Sequence, residues 1–344
     1  MSITIKDIAR AAGVSHATVS RALNDHPALS DKTIQKIKRL AATMGYVPNA
    51  SARGLKTRRS RVLGVIVSHI DDPFWSEVLQ GIDAVLHPAG YSLFVAATHR
   101  DERREKEIVQ SMVQRGVDGV ILCAPQFSPA QNRILQSYGL PTTVVNNEGA
   151  AEARYLVYND DVYGIRLLTQ HLIDLGHRRI AFMGCAVGGR TTIARETGFR
   201  DTVRAAGLQL DERLIVQAPS SSPAGGRESA ALLLSGARRP TAVVCYNDHM
   251  AMGVYAALFE AGLSVPRDKS VVGFDDIALA AYLLPPLTTL RQCKHELGSE
   301  AATLMLRILD AHSEAEHMPE PERHCLTGEL VVRASTAPPD PANA

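Results

Sequence analysis

From Val62 onward, short β-branched runs alternate with amphipathic stretches, and after Gly164 the alternation starts over. VLGVIV, YSLFVAA, VDGVILCA and TTVVN make the first set, with FWSEVLQGIDAVLHPAG and DERREKEIVQSMVQRG between them. RRIAFMG, RLIV, TAVVCY and SVVGFDD make the second. Strand–helix alternation of this kind implies parallel sheets joined by right-handed crossovers. Two sets imply two α/β lobes.

Ligands of open parallel sheets bind beyond the carboxyl ends of the strands, so the polar and aromatic residues there are the candidates for a site. Phe74 and Trp75, the latter the only tryptophan, follow the first strand. Asn247 and Asp248 follow TAVVCY, Asp275 and Asp276 follow SVVGF, and Arg195 lies near the start of the helix after RRIAFMG. An aromatic platform with Asp, Asn and Arg forks suits a polyol or a sugar acid, because planar side chains satisfy several hydroxyls at once and an apolar ring face stacks on an aromatic. Competing readings stay open. Phe74 and Trp75 also suit a lobe core, and Asp248 and Asp276 suit helix caps. Arg190, in GGRTT, is an extra cation beside the cleft or a solvated one, and Ser220 to Ser222 offer only hydroxyls.

Ahead of the lobes, TIKDIARAAGVSHATVSRALN reads as two short helices around a tight turn. Thr4 and Asp7 form a helix-start signature, and Ile5, Ile8, Ala9 and Ala12 share one face. Gly13 supplies the turn, Val14 fills the angle, and Ser15 caps a second helix whose Val19, Ala22 and Leu23 face inward. His16, Ala17, Ser20 and Arg21 then lie on the part of that helix that a helix-turn-helix places against base edges. Ser30 caps a third helix, DKTIQKIKRLAATMG, with Ile34, Ile37, Ala41 and Met44 inside and Lys32, Lys36, Lys38 and Arg39 available to phosphates. Pro48 ends it. Asn49 can cap a short helix, ASARGLK, too short to hold alone in water, and Leu55 on it is an apolar wedge for a minor-groove base step. The alternatives are a helical hairpin packed on a larger core and a plain basic linker.

Charge separates these readings. Up to Arg61 there are twelve Lys and Arg against three Asp and Glu, a net +9, whereas the remainder has 25 against 33, a net −8. A basic head on an acidic body is the footprint of phosphate binding confined to one end. With 344 residues and 45% hydrophobic content, the chain can hold several packed domains. It has no apolar run of the length a membrane span needs, and MSITIKDIARAAG carries charges where a secretory leader has its apolar core, so the cytoplasm is the expected location. The five cysteines form no C-x-x-C pair, which argues against a disulfide framework or a zinc site. His312, His317 and His324 fall in a polar loop, and His171 and His177 read as core or helix-end residues. No nucleotide loop, G-x-S-x-G or H-E-x-x-H motif occurs, so neither an enzyme nor a cofactor is expected.

TIKDIARAAGVSHATVSRALN, GYVPNASARGL and VLGVIV, followed in order by DPFWSEVLQGID, LIDLGHRRIAFMG, ARETGFRDTV, PTAVVCYNDHMAMG, SVVGFDDIAL and PPLTTLRQ, closely resemble the lac repressor family of bacterial regulators (LacI/GalR). The resemblance covers nearly the whole chain. It implies an N-terminal three-helix helix-turn-helix domain over 1–46, a hinge helix and linker over 47–61, and a two-lobed periplasmic-binding-protein-like α/β effector domain over 62–344. The N-lobe is expected at about 62–163 and 291–325 and the C-lobe at about 164–289 and 326–338, with crossings near Tyr163, Leu290 and Leu326. By the same resemblance His16, Ala17 and Arg21 match base-reading positions and Ala52 and Leu55 match hinge positions at the minor groove. Thr4, Ser15, Thr18, Ser20, Asn24 and Asn49 complete the expected DNA-contact set. Arg195 and Asp275 match the effector-gripping pair, with Asn247 and Phe74 beside them and Trp75 as the adjoining aromatic. Gly54 and APSSSPAGGR depart from the family pattern. The function implied is a homodimeric or larger repressor of a carbohydrate or sugar-acid operon, released from a palindromic operator by a small molecule between the lobes. The alternatives are a corepressor-dependent regulator and a sugar receptor with no DNA role.

Overall fold

The structure is a computed structural model that describes residues 3–46, 59–123, 134–135, 137–146, 153–236, 239–313 and 319–340. The chain divides into two compact units, Met1–Ser60 and Arg61–Ala344. The hinge residues expected from the sequence, Asn49, Ala52 and Leu55, lie outside the described residues, as does His317.

The first unit holds α1 (Ile5–Ala12), α2 (His16–Leu23) and α3 (Asp31–Thr43). Thr4 and Asp7 close a capping box on α1, and Gly13 ends it at φ +68°, a left-handed conformation that costs glycine little. Ser15 and Ser30 accept from the Thr18 and Thr33 amides and start α2 and α3. Ile8, Ala9, Val19, Ala22, Ile34, Ile37 and Ala41 form its core.

In the second unit, β1 (Val62–Val67), β2 (Ser92–Ala97), β3 (Gly119–Cys123), β4 (Thr142–Val145) and β5 (Tyr155–Asn159) build one sheet with β11 (Glu322–Leu326), in the order β11-β5-β4-β3-β1-β2 and parallel throughout. β6 (Ile180–Cys185), β7 (Ile215–Ala218), β8 (Ala242–Cys245), β9 (Ser270–Asp275) and β10 (Thr288–Arg291) build the other with β12 (Glu329–Val331), in the order β12-β10-β9-β8-β6-β7, with β12 antiparallel. The inner strands are buried along their whole length because helices cover both faces, which is why they read as unbroken apolar runs. α4 (Pro73–Leu86), α5 (Glu102–Gln114) and α10 (Lys294–Ser313) belong to the first lobe. α6 (Asp161–Asp174), α7 (Gly189–Ala205), α8 (Pro223–Ser235) and α9 (Asp248–Glu260) belong to the second.

The chain passes between lobes at Asn159–Asp161, at Arg291–Lys294 and at Leu326–Glu329. The first crossing precedes Tyr163 because α6 starts on the second lobe as soon as β5 ends. The three crossings are laced together. The Asp160 amide donates to the Leu326 carbonyl at 2.8 Å, and Cys293 Sγ donates to the Thr327 carbonyl at 3.4 Å. A Cβ on Gly328 would run into the Arg291 carbonyl.

Candidate functional site

The loops at the carboxyl ends of both sheets converge on one cavity, open to solvent. From the first lobe come Ser68, His69 and Asp72 after β1, Phe74 and Trp75 at the start of α4, and Arg100 after β2. The second lobe supplies Thr191 and Arg195 on α7, Tyr246 and Asn247 after β8, and Asp275 at the end of β9. All five residues expected to grip an effector, Phe74, Trp75, Arg195, Asn247 and Asp275, line it. Asp72, Arg100, Asn146, Tyr246 and Gln292 line it too and were not anticipated. Only Asp72 gave a signal, since it begins the Asp-Pro-Phe-Trp run as the cap that accepts from the Phe74 amide at 3.0 Å.

Arg195 is 2% exposed. Its Nε and Nη2 each lie 2.8 Å from Asp161 Oδ1, its Nη1 donates to the Tyr246 carbonyl, and the guanidinium sits 3.7 Å above the Phe274 ring centroid. Burial works against its charge, but Asp161, Tyr246 and Asp275 together hold its pKa above the ordinary value. Three of its five N–H groups are spoken for by these partners, which leaves two for a ligand. Asp275 faces it from a backbone at φ +120°, a region rarely held by a residue with a side chain. The conformation is pinned by Lys294, whose buried ammonium donates to the carbonyls of Asp275 and Asp276, both at 2.7 Å. Burial pushes the Asp275 carboxyl well above the usual carboxylate range; Arg195 opposes the shift and Asp248 and Asp72 add to it.

Phe74 and Trp75 are core and cavity wall at once: each is 5% exposed, and their rings meet edge to face at 4.8 Å. Asn247, not Asp248, caps α9, accepting from the Met250 amide at 2.9 Å. Asp248 is instead a buried clamp that accepts from the Ile277 amide at 2.9 Å and from the Thr289 hydroxyl at 2.6 Å. Asp276 is not a cap either; Arg291 and Arg333 hold it at 2.7 and 2.6 Å. Arg190 is exposed and does not line the cavity itself; with Val162 and Ile193 it lines a groove that adjoins the cavity at Thr191. Ser221 reaches the cavity wall, whereas Ser222 caps α8. Arg100 Nη1, from the first lobe, donates to the Val187 carbonyl of the second at 2.5 Å.

In the first unit His16, Ala17 and Arg21 are exposed on α2, with Ser20 half-buried beside them. Thr4, Ser15, Thr18 and Asn24 have structural work as well. Thr4 donates to Asp7 at 2.6 Å, Ser15 and Thr18 share a hydroxyl hydrogen bond at 2.9 Å, and Asn24 donates to the Ser20 carbonyl at 2.7 Å. Lys38, expected to be available to phosphates, is held by Asp25 at 2.6 Å.

Family models match both parts of the chain: "Bacterial regulatory proteins, lacI family" over residues 4–49 and "Periplasmic binding protein-like domain" over 169–336. The ribose operon repressor of Escherichia coli K12 is 34% identical over 336 residues, which cover 96% of this chain and 99% of that protein. The chain belongs to the lacI family of bacterial regulatory proteins. The HTH-type transcriptional repressor PurR of Glaesserella parasuis is 33% identical, with 96% and 98% covered. Among solved structures, the lac repressor dimer bound to operator and the anti-inducer ONPF superposes with a TM-score of 0.87 at 26% identity, covering 98% of this chain and 100% of that one. A lacI-family regulator from Enterococcus faecium with bound ribose superposes at 0.71, with 31% identity over 80% of this chain and 99% of that one. As a member of the family, this protein is a ligand-responsive transcriptional repressor. Among the described residues no helix is long and apolar enough to cross a membrane.

Proposed function

We propose that the inter-lobe cavity is the effector site, that its ligand is a sugar or sugar acid, and that the ligand releases the protein from its operator. The observation that carries this reading is the convergence of Phe74, Trp75, Arg195, Asn247 and Asp275, from both lobes, on one solvent-open cavity, where an apolar wall meets a few convergent polar groups. Trp75 and Phe74 offer the apolar wall for a ring face. Asn247, Asp275 and the spare N–H groups of Arg195 offer the forks for hydroxyls. The relatives support a sugar: one represses a ribose operon, one holds ribose, and a regulator named CelR was solved with cellobiose.

His16, Ala17, Ser20 and Arg21 read base edges, while Thr4, Ser15, Thr18 and Asn24 set the helices against the backbone. Residues 1–46 are the reading head, 47–61 the hinge and linker, with Asn49 among the DNA contacts and Ala52 and Leu55 acting at the minor groove, and the rest the effector domain. The protein works in the cytoplasm, where its operator is. The ligand acts through its different affinities for the DNA-binding and released states, about 1–3 kcal/mol of coupling in typical systems.

The test is a thermal-shift screen of the full chain against sugars and sugar acids, followed by operator release with the compounds that bind. Asp275→Asn keeps the shape of the side chain and is expected to weaken the effector by tenfold or more, about 1.4 kcal/mol, with operator affinity retained. A variant that still answers the effector at wild-type concentration rejects the cleft assignment. Arg195→Ala is the poorer test, because it strands the buried Asp161 carboxylate.

A further inference from the structure

Two of the three crossings between lobes meet the cavity through one side chain. Gln292 stands on the second crossing and is 2% exposed. Its Nε2 donates to Asp275 Oδ1 at 2.5 Å, and its Oε1 accepts from Asn159 Nδ2 at 2.6 Å. Asn159, also 2% exposed, ends β5 where the first crossing begins. A primary amide has one accepting end and one donating end, so the direction of each hydrogen bond in the row fixes the next. Asn159 Oδ1 is buried with no hydrogen-bond partner. That orphaned acceptor gives the row a second arrangement: with both amides turned over, Gln292 Nε2 would donate to Asn159 Oδ1 and Gln292 Oε1 would accept a hydrogen bond from a donor on the Asp275 side.

The backbone of Asp275 is not free to carry a signal, because Lys294 holds its carbonyl and that of Asp276 and is itself paired with Glu77 on α4 at 3.1 Å. What a ligand can change at Asp275 is the hydrogen bonding of the carboxyl, and within the protein that carboxyl is bonded to Gln292.

We propose that Gln292 is a positioning residue that passes the hydrogen-bonding state of Asp275 to the first and second crossings, with Asn159 as the receiving end. The inference rests on the cavity being the effector site. A hydroxyl that engages the Asp275 carboxyl competes for the acceptor that Gln292 uses. The Gln292 amide then shifts or turns, and Asn159 exchanges its donor for its orphaned acceptor. The lobes are joined at these crossings, so the change reaches the segment on which their closure turns.

Hydrogen–deuterium exchange on the full chain tests this without an identified ligand. Asp275→Ala removes the acceptor and is expected to speed exchange in peptides spanning 157–164 and 290–297 by about fivefold or more. In a Gln292→Met background, which keeps the bulk but cuts both hydrogen bonds, the same change is expected to leave 157–164 where Gln292→Met alone has put it. If the methionine variant does not fold, Gln292→Leu serves, since it also cuts both hydrogen bonds. A response of 157–164 to Asp275→Ala of equal size with and without Gln292 overturns the proposal, as does no response in either background. The exchange experiment can fail while the sugar screen succeeds, and the reverse, so loss of the relay and loss of the effector-site reading are told apart.

Discussion

Asp248 illustrates how a side chain's neighbours, and not its place in a motif, decide its role. Asn247 and Asp248 are both good cap residues, and adjacency alone does not choose between them. The extended backbone at Asn247 (φ −152°) turns its carbonyl oxygen to the helix amides and sends Asp248 inward to Thr289 and Ile277. Burial pushes the Asp248 carboxyl up to about 7 from 3.8, against those two hydrogen bonds. Below 3.8 the folded and unfolded chains are both protonated. Between there and about 7 only the folded chain keeps the proton, so this group's contribution to stability falls as pH rises and levels off above about 7. Asp248→Asn is expected to make the stability of the effector domain fall less between about pH 5 and 7.5 than the wild type's, as urea unfolding at the two pH values would show. On the DNA side, Arg21→Ala is expected to cost about 1–3 kcal/mol on the operator and less on unrelated DNA; equal loss on both would make Arg21 a phosphate contact. Asp275 was legible as a cavity residue from its place at a strand end, and Arg195, on α7, chiefly from the family resemblance. Gln292 and Asn146 were not, because nothing in a lone Gln or Asn separates a cleft residue from any other loop residue.

Helices pack in the same way in both lobes. Gly81 on α4 and Gly298 on α10 let those helices approach until a Cβ on either would strike the other's backbone, at the His295 or Val78 carbonyl. Gly226 on α8 and Gly253 on α9 do the same against Met250 and Pro223. Neither neighbour is a flexible side-chain end, so relief requires the helices to part. Gly81→Ala is expected to destabilise the effector domain by about 1–3 kcal/mol in urea unfolding. Strands β1, β3, β6, β8 and β9 announce themselves as unbroken apolar runs because they are buried on both faces. β11, with the sequence Glu-Arg-His-Cys-Leu, does not. It is an edge strand with alternating exposure, and it finds its place only by pairing with β5, far away in sequence. His324 on β11 was set aside as a loop histidine; it lies between Glu300 and Glu322 at 2.9 and 3.0 Å, and hydrogen bonds to those carboxylates raise its pKa.

Across the whole molecule, charge and chemistry are divided between the two units. The net +9 of the first 61 residues faces a net −8 in the rest, so the two binding reactions should differ in their response to salt. Operator affinity is expected to fall steeply, by orders of magnitude between about 50 and 200 mM salt, because each phosphate contact releases counterions. Affinity for an uncharged effector should change little over that range. Titrations of both ligands at several salt concentrations check this; parallel slopes would argue against confining phosphate contacts to the basic head. The crossings carry a consequence of another kind. They are laced largely through main-chain carbonyls and one amide, those of Asp160, Arg291, Leu326 and Thr327, while specificity in the cavity is written in side chains. Under the effector-site reading, substitution at Phe74, Trp75 or Asn247, outside the Asp275–Gln292–Asn159 row, would rewrite what is sensed without rebuilding the joint that reports it, which makes that part of the cleft a replaceable lock on a permanent hinge.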